Sequence, residues 1–318
     1  MKHVLIPGLA FTVLFSTLTV AQDPRPPSDA PVEADDEDAQ TLTVEVDEVR
    51  VPFTVTDGDG RWVTDLTEEN VRIYEDGVRQ EIRSFDAQTD LPLTLVLAMD
   101  TSSSVRTKIE FEQEAAAEFF FTIIERRRDR GMLVTFDSTV QVLQDFTESP
   151  ETLSEAVRDI QVGGGSAMYD AIYLAITQKV SHQPPEGRRV LIVISDGDDN
   201  DSRMRVEDAL EAAQRNDVVI YTVSTNGTAD FGADRQQRGD RLLEQLADET
   251  GGRTFFPFEL DEVVESLEEI AEELRQQYYI TYVSSNQARD GAYREIEVRP
   301  FGRNVQIRAR AGYPAPRD

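Results

Sequence analysis

LTLVLAMDTSSS, residues 93–104, is the stretch on which the fold turns. Leu93, Leu95, Val96, Leu97, Ala98 and Met99 form the short apolar run required of a parallel strand buried on both faces. The run stops at Asp100, and hydroxyls follow at Thr101, Ser102, Ser103 and Ser104. From about Val105, apolar residues recur at helical spacing (Ile109, Ala116, Phe119, Phe120, Ile123), which predicts a helix. Strand, polar loop, helix places Asp100, Ser102 and Ser104 at the carboxyl end of a strand, the edge where open α/β sheets bind ligands. Helix capping is the competing explanation, because Ser and Asp are favoured N-caps. One cap uses one such residue, and here an Asp and four hydroxyls stand together.

Outward from this stretch, residues 91–276 alternate between strand and helix patterns. The spacing predicts strands at 132–136, 140–143, 190–195, 218–223 and 255–256. Helices are expected over 151–160, 167–180, 206–215, 241–250 and 261–275. That alternation predicts an α/β fold with a doubly wound, mainly parallel, Rossmann-like sheet and an antiparallel edge at 140–143. Residues 41–88 and 277–314 have β texture instead, with apolar–polar alternation through Leu42, Val44, Val46, Val49, Val51, Phe53 and Val55. Four short strands are expected before the α/β unit, one near Trp62 and Val63, and three after it, at 278–283, 293–298 and 305–309. Neither flank is large enough to bury a core alone, so the two are expected to build one small β-sandwich of roughly seven strands, into which the α/β domain is inserted. Trp62, Phe53 and Tyr74 are expected in its core.

Residues 1–21 have the charge, apolar stretch and small terminal residues of a secretory signal, with cleavage expected after Ala21. An uncleaved anchor is the alternative, disfavoured by Pro7 and the short apolar length. Residues 22–40, rich in Pro, Asp and Glu, are expected to be a disordered acidic linker. The chain of 318 residues has no cysteine, which removes disulfides, thiolate metal sites and Cys nucleophiles. Its formal net charge of −29 makes nucleic acid and anionic membrane poor partners. A periplasmic or secreted protein, not inserted in the membrane after cleavage, is the expectation.

Two further polar clusters fall at loops of the α/β unit. Gly163-Gly164-Gly165-Ser166 ends in a hydroxyl where a helix begins, and Asp196 follows an apolar strand in SDGDDND. With the usual strand order, Asp100, Ser166 and Asp196 share one sheet edge. They offer hard oxygen donors without His, Cys or Lys, which suits Mg²⁺, Mn²⁺ or Ca²⁺ better than Zn²⁺ or Cu²⁺.

Asp100-Thr101-Ser102-Ser103-Ser104 resembles the D-x-S-x-S motif of the von Willebrand factor type A (VWA) domain. Ser166 stands where that family has a threonine, and Asp196-Gly197 matches its later aspartate. The segments VPFTVTDGDGRWVTDLTEENVRIYEDGVRQEI before and QYYITYV, REIEVR and RARAGYPAP after look like the flanks of a bacterial exported "VWFA-related" family described from acidobacteria. The resemblance implies a metal-ion-dependent adhesion site made of Asp100, Ser102, Ser104, Ser166 and Asp196. It also implies a resident Mg²⁺ (or Mn²⁺ or Ca²⁺) and a protein partner that offers an Asp or Glu carboxylate. Serine for threonine at 166 keeps the hydroxyl but loses the methyl that stiffens χ1.

Other motifs weigh less. Asp196-x-Asp198-x-Asn200 with Glu207 resembles an EF-hand loop, but Asp201 replaces the glycine its turn needs. Asp198, Asp199 and Asp201 are instead expected to be a solvated loop or rim, and Asp137 a turn residue. Gly163–Gly165 lacks the lysine of a P-loop. A Mg²⁺-dependent hydrolase is the second function class, weakened because His182 is the one histidine after the expected signal, and no lysine is expected in the three loops. A structural envelope protein with a purely stabilising metal site is the third. Two finer expectations are that movement of helix 261–275 is passed to the strand at 278–283, and that the acidic residues 35–38 supply a carboxylate to a neighbour's site.

Overall fold

The computed structural model describes residues 48–87, 91–185, 187–226, 233–259 and 261–317. The expected signal, the acidic linker and the strand at Leu42–Val46 lie outside the described residues.

The α/β unit follows its hydrophobic pattern. Its elements are β5 (Leu93–Asp100), α1 (Ile109–Ile123), β6 (Arg130–Phe136), β7 (Val140–Thr147), α2 (Pro150–Arg158), α3 (Met168–Gln178), β8 (Arg188–Ser195), α4 (Val206–Arg215), β9 (Val218–Ser224), α5 (Ala233–Thr250), β10 (Thr254–Phe255) and α6 (Asp261–Arg275). The six strands run in the order β10-β9-β8-β5-β6-β7, parallel except for β7, which pairs antiparallel with β6 as expected. Every residue of β5 is buried, because helices cover both faces. Leu93, Leu95, Leu97 and Met99 face α1, α2 and α6, whereas Val96 and Ala98 face α3, α4 and α5. The one strand rich in β-branched and aromatic side chains that lies beside β8, β9, is equally buried, so the centre of the sheet is dry from β9 to β6.

Helix α5 starts eight residues earlier than the expected 241. Within the added turns, Gly239 packs directly on the Asp196 carbonyl; a Cβ there would lie 2.2 Å from that oxygen.

The flanks contribute eight strands: β1 (Glu48–Thr56), β2 (Val71–Glu75), β3 (Val78–Arg79), β4 (Ile82–Ala87), β11 (Tyr278–Val283), β12 (Tyr293–Pro300), β13 (Gln306–Ala309) and β14 (Gly312–Pro314). They form two antiparallel sheets, β13-β1-β11-β4 and β14-β12-β2-β3, in each of which N-terminal and C-terminal strands pair directly. Val51, Phe53, Val71, Ile73, Tyr278, Ile280 and Ile296 share one core. Two expectations change here. Trp62 makes only an isolated bridge to Thr56, not a strand. Of the three aromatics expected in the core, Phe53 is buried, while Trp62 and Tyr74 are half-buried; Tyr74 lies under the Arg299 guanidinium, 4.2 Å from it.

Among the described residues, no helix is long and apolar enough to cross a membrane.

Candidate metal centre

The parallel register brings the site together. Met99 pairs with Ile194, so Asp100 stands beside Ser195 at the carboxyl ends of the two central strands. Asp100 is fully buried, and its Oδ1 accepts the Ser102 backbone N–H at 2.8 Å. Its Oδ2 accepts the Ser195 hydroxyl at 2.7 Å and the Ser166 hydroxyl at 3.4 Å. The Ser102 and Ser104 hydroxyls lie 2.8 Å apart. The Asp196 carboxylate is placed near enough for its charge to raise the Asp100 pKa, and it is half-buried. Thus Asp100, Ser102, Ser104 and Ser166 are joined by direct hydrogen bonds, and Asp196 follows Ser195 at the end of β8.

Backbone contacts fix the loops that carry these side chains. Gly163 N–H donates to the Thr101 carbonyl at 2.9 Å, and Ser103 donates to the Gly164 carbonyl through both its N–H and its hydroxyl. Gly164 takes φ +82°, a left-handed conformation that favours glycine, while the Ser138 side chain accepts the Gly165 N–H at 2.8 Å. Asn226 donates its side-chain amide to the Asp196 carbonyl at 3.0 Å. Gly197, at φ +76°, is pressed against Gly239, so the Asp196 loop cannot drift toward α5.

In the acidic loop after Asp196, Asp201 is exposed, as a solvated loop requires, whereas Asp199 has a structural role. Asp199 Oδ2 accepts the Tyr169 N–H at 3.0 Å and the Ser202 hydroxyl at 2.6 Å, capping α3, whose own N-cap residue is Ala167. Asp170 returns the favour by accepting the Arg203 and Met204 N–H groups. Asn200 Oδ1 accepts the Ser166 N–H at 3.0 Å, which orients Ser166. Asp137 is a turn residue, as expected, bonded to the Thr139 N–H and hydroxyl.

Three participants escaped the sequence reading. Ser195 was legible as a hydroxyl ending an apolar strand, but its partner is 95 residues away. Lys108 lies just before α1, and its ammonium donates to the Thr225 carbonyl. Glu112, one turn on, is 1 % exposed, and neither carboxyl oxygen has a hydrogen-bond partner.

Electrostatics set the protonation of this region. Burial raises the Asp100 carboxyl to about 6, against hydrogen bonds from Ser102 and Ser195 that lower it. Burial pushes Glu112 up to about 8, with the Asp100 and Asp196 charges adding and the Lys108 charge opposing. In the unfolded chain these groups titrate near 3.8 and 4.5. Folded protein therefore holds protons that the unfolded chain has lost, and without a cation its stability falls as pH rises from about 4 to about 8. Thermal melts in EDTA should show that fall, and Glu112→Gln should flatten its upper part and melt about 5 °C higher at pH 8, at ~2–4 °C per kcal/mol. Parallel pH profiles for the two proteins would remove Glu112 as the cause.

The donor set suits a hard divalent cation. It consists of oxygens from three loops, and the central carboxylate is buried without a cationic side chain bonded to it. Among the described residues, no group of three or more His, Cys, Asp or Glu is placed to hold a metal ion, so a cation here relies on the serine hydroxyls.

A family model for the von Willebrand factor type A domain matches residues 94–273. The chain belongs to this family. An uncharacterized protein of Borreliella burgdorferi is 23 % identical over 181 residues, covering 50 % of this chain and 52 % of the relative. The VWA chain thus spans about half the length of the curated relative it matches. Among solved structures, a von Willebrand factor type A protein from Catenulispora acidiphila is 13 % identical with a TM-score of 0.50, covering 86 % of this chain and 74 % of that one. Proximal thread matrix protein 1 of the mussel byssus is 13 % identical with a TM-score of 0.50, covering 70 % and 50 %. These likenesses show a VWA fold, and the family model runs from β5 through most of α6.

Proposed function

We propose that this VWA protein is an exported, divalent-cation-dependent protein-binding module, with Asp100, Ser102, Ser104, Ser166 and Asp196 as the cation's ligands. The observation that carries the reading is Asp100: a buried carboxylate surrounded by serine hydroxyls at the carboxyl edge of the sheet. Bound there, Mg²⁺ (or Mn²⁺ or Ca²⁺) supplies a Lewis-acidic position that accepts an Asp or Glu carboxylate from a partner. Ser102, Ser104 and Ser166 contribute neutral oxygens, which leave the cation's charge largely uncompensated. Ser195, Asn200 and Asn226 hold Asp100, Ser166 and Asp196 in position.

A hydrolase is less well supported. His182 sits in the turn beyond the last residue of α3, at the opposite end of that helix from Ser166. Lys108 is committed to the Thr225 carbonyl. The signal, the export and the acidic linker at 22–40 belong to the same proposal.

The test is equilibrium dialysis against Mg²⁺ followed by capture of partners from envelope extract. One ion per chain, with captured protein released by EDTA and lost when its carboxyls are amidated, is the expected result. Capture indifferent to EDTA, or a cation that raises Tm without changing capture, would overturn the binding role.

A further inference from the structure

Helices α1 and α2 run antiparallel. Gln113 donates to the Val157 carbonyl at 2.8 Å near one end, and Arg126 pairs with Glu151 at the other. Between them lies a groove of about 650 Å³ that shares no residue with the metal centre. Glu110, Glu114 and Glu118 line it at four-residue spacing, so their carboxylates form a single stripe along the outer face of α1. All three are exposed, and none has an ion-pair partner among the described residues. Like charges four apart on a helix oppose one another. Phe121 continues the stripe and is 53 % exposed.

The groove also contains an observation independent of its charge. Ser154 of α2 lines it while being 2 % exposed, and the Ser154 hydroxyl has no hydrogen-bond partner. A buried polar group left unpaired costs free energy that an incoming donor recovers. Arg158 stands at the Glu110 end, because α2 ends where Gln113 meets Val157.

We propose that this groove is a second docking site, which takes a cationic amphipathic helix of a partner protein, with arginines at three- to four-residue spacing. Arginine fits best because its planar group has several donors, enough to serve a carboxylate and the Ser154 hydroxyl together. An apolar residue of the partner packs on Phe121, and the negative end of the partner helix's dipole faces Arg158. Helix-in-groove recognition of this kind is read from anchors at helical spacing. Charge excludes the obvious internal occupants. Residues 22–40 are themselves acidic, and a second copy of a chain with net charge −29 brings more of the same sign. This site does not need the cation, so it stands or falls separately from the metal-dependent reading.

The probe is a synthetic helical peptide of about 15 residues, with arginines at four-residue spacing and leucines along one edge. Its control has the same composition with the arginines scattered around the helix. At about 0.15 M salt, where long-range attraction is screened, the full chain should bind the patterned peptide about tenfold more tightly than the control. The variant Glu110→Gln/Glu114→Gln/Glu118→Gln should lose that preference, and Ser154→Ala should reduce it about threefold. The variant Glu207→Gln/Glu244→Gln/Asp248→Asn, which removes the same charge from α4 and α5 across the sheet, should retain it. EDTA should change none of these values. Equal binding of the two peptides, equal losses in the two triple variants, or release by EDTA would each overturn the proposal.

Discussion

Asp100→Asn should abolish the response of this protein to Mg²⁺ while leaving the metal-free fold at least as stable as the wild type at pH 8. Asparagine keeps the shape of the side chain and the acceptor for the Ser102 N–H. Its amide replaces the oxygen that faces Ser195 and Ser166, and both hydroxyls can turn from donor to acceptor. The fold therefore loses little, and the buried charge whose desolvation raises the Asp100 pKa is gone. Cation affinity depends on that same charge. Its loss should weaken binding at least about a hundredfold, beyond the usual effect of removing an outer-shell partner. Wild-type Tm should rise with Mg²⁺ as ligand-linked stability requires, and the Asp100→Asn melt should stay fixed. A variant that still gains Tm from Mg²⁺ would place the ion elsewhere.

Glu75→Ala should be the most damaging change in the flanking sheets. Glu75, 2 % exposed at the end of β2, accepts the Tyr282 and Tyr313 hydroxyls at 2.8 and 2.9 Å and the Ser284 hydroxyl as well. Arg294, also 2 % exposed, lies 3.6 Å away. One side chain from the N-terminal flank thus gathers hydroxyl donors from β11, the residue after it and β14, and an ion-pair partner from β12, all in the C-terminal flank. Alanine leaves two phenols, a serine and a guanidinium facing an apolar void. Breaking a buried charged pair from one side costs about 3–5 kcal/mol. Urea unfolding should show the midpoint falling accordingly, and Glu75→Gln, which keeps an acceptor, should lose less. A shift under about 1 kcal/mol would mean that the two sheets are held together by apolar packing alone.

Several structural features were legible in the sequence because they depend on local periodicity. Helices α4 and α6 and strand β11 have the expected bounds. Buried Glu112 was not anticipated, although it falls on the helix face of Ile109, Ala116, Phe119 and Ile123, whereas Glu110, Glu114 and Glu118 fall outside it. Other features depended on contacts distant in the chain. Ser195 matters only because β8 lies beside β5, and Asp199 because its loop folds over the start of α3. The short strand β14, Gly312–Pro314, has too few residues for a period to show.

By itself, the sequence determined the alternating α/β unit, its strand–loop–helix edge and the oxygen-rich residues placed there, because apolar period and the position of a loop after a strand are properties of neighbouring residues. Tertiary structure alone decided which of those oxygens meet. Strand register sets Ser195 against Asp100, Gly239 presses on the Asp196 loop, and Glu75 draws strands from both flanks into one network. Each of these contacts joins residues far apart in the chain, and such partners are chosen by packing and hydrogen-bond satisfaction across the whole fold.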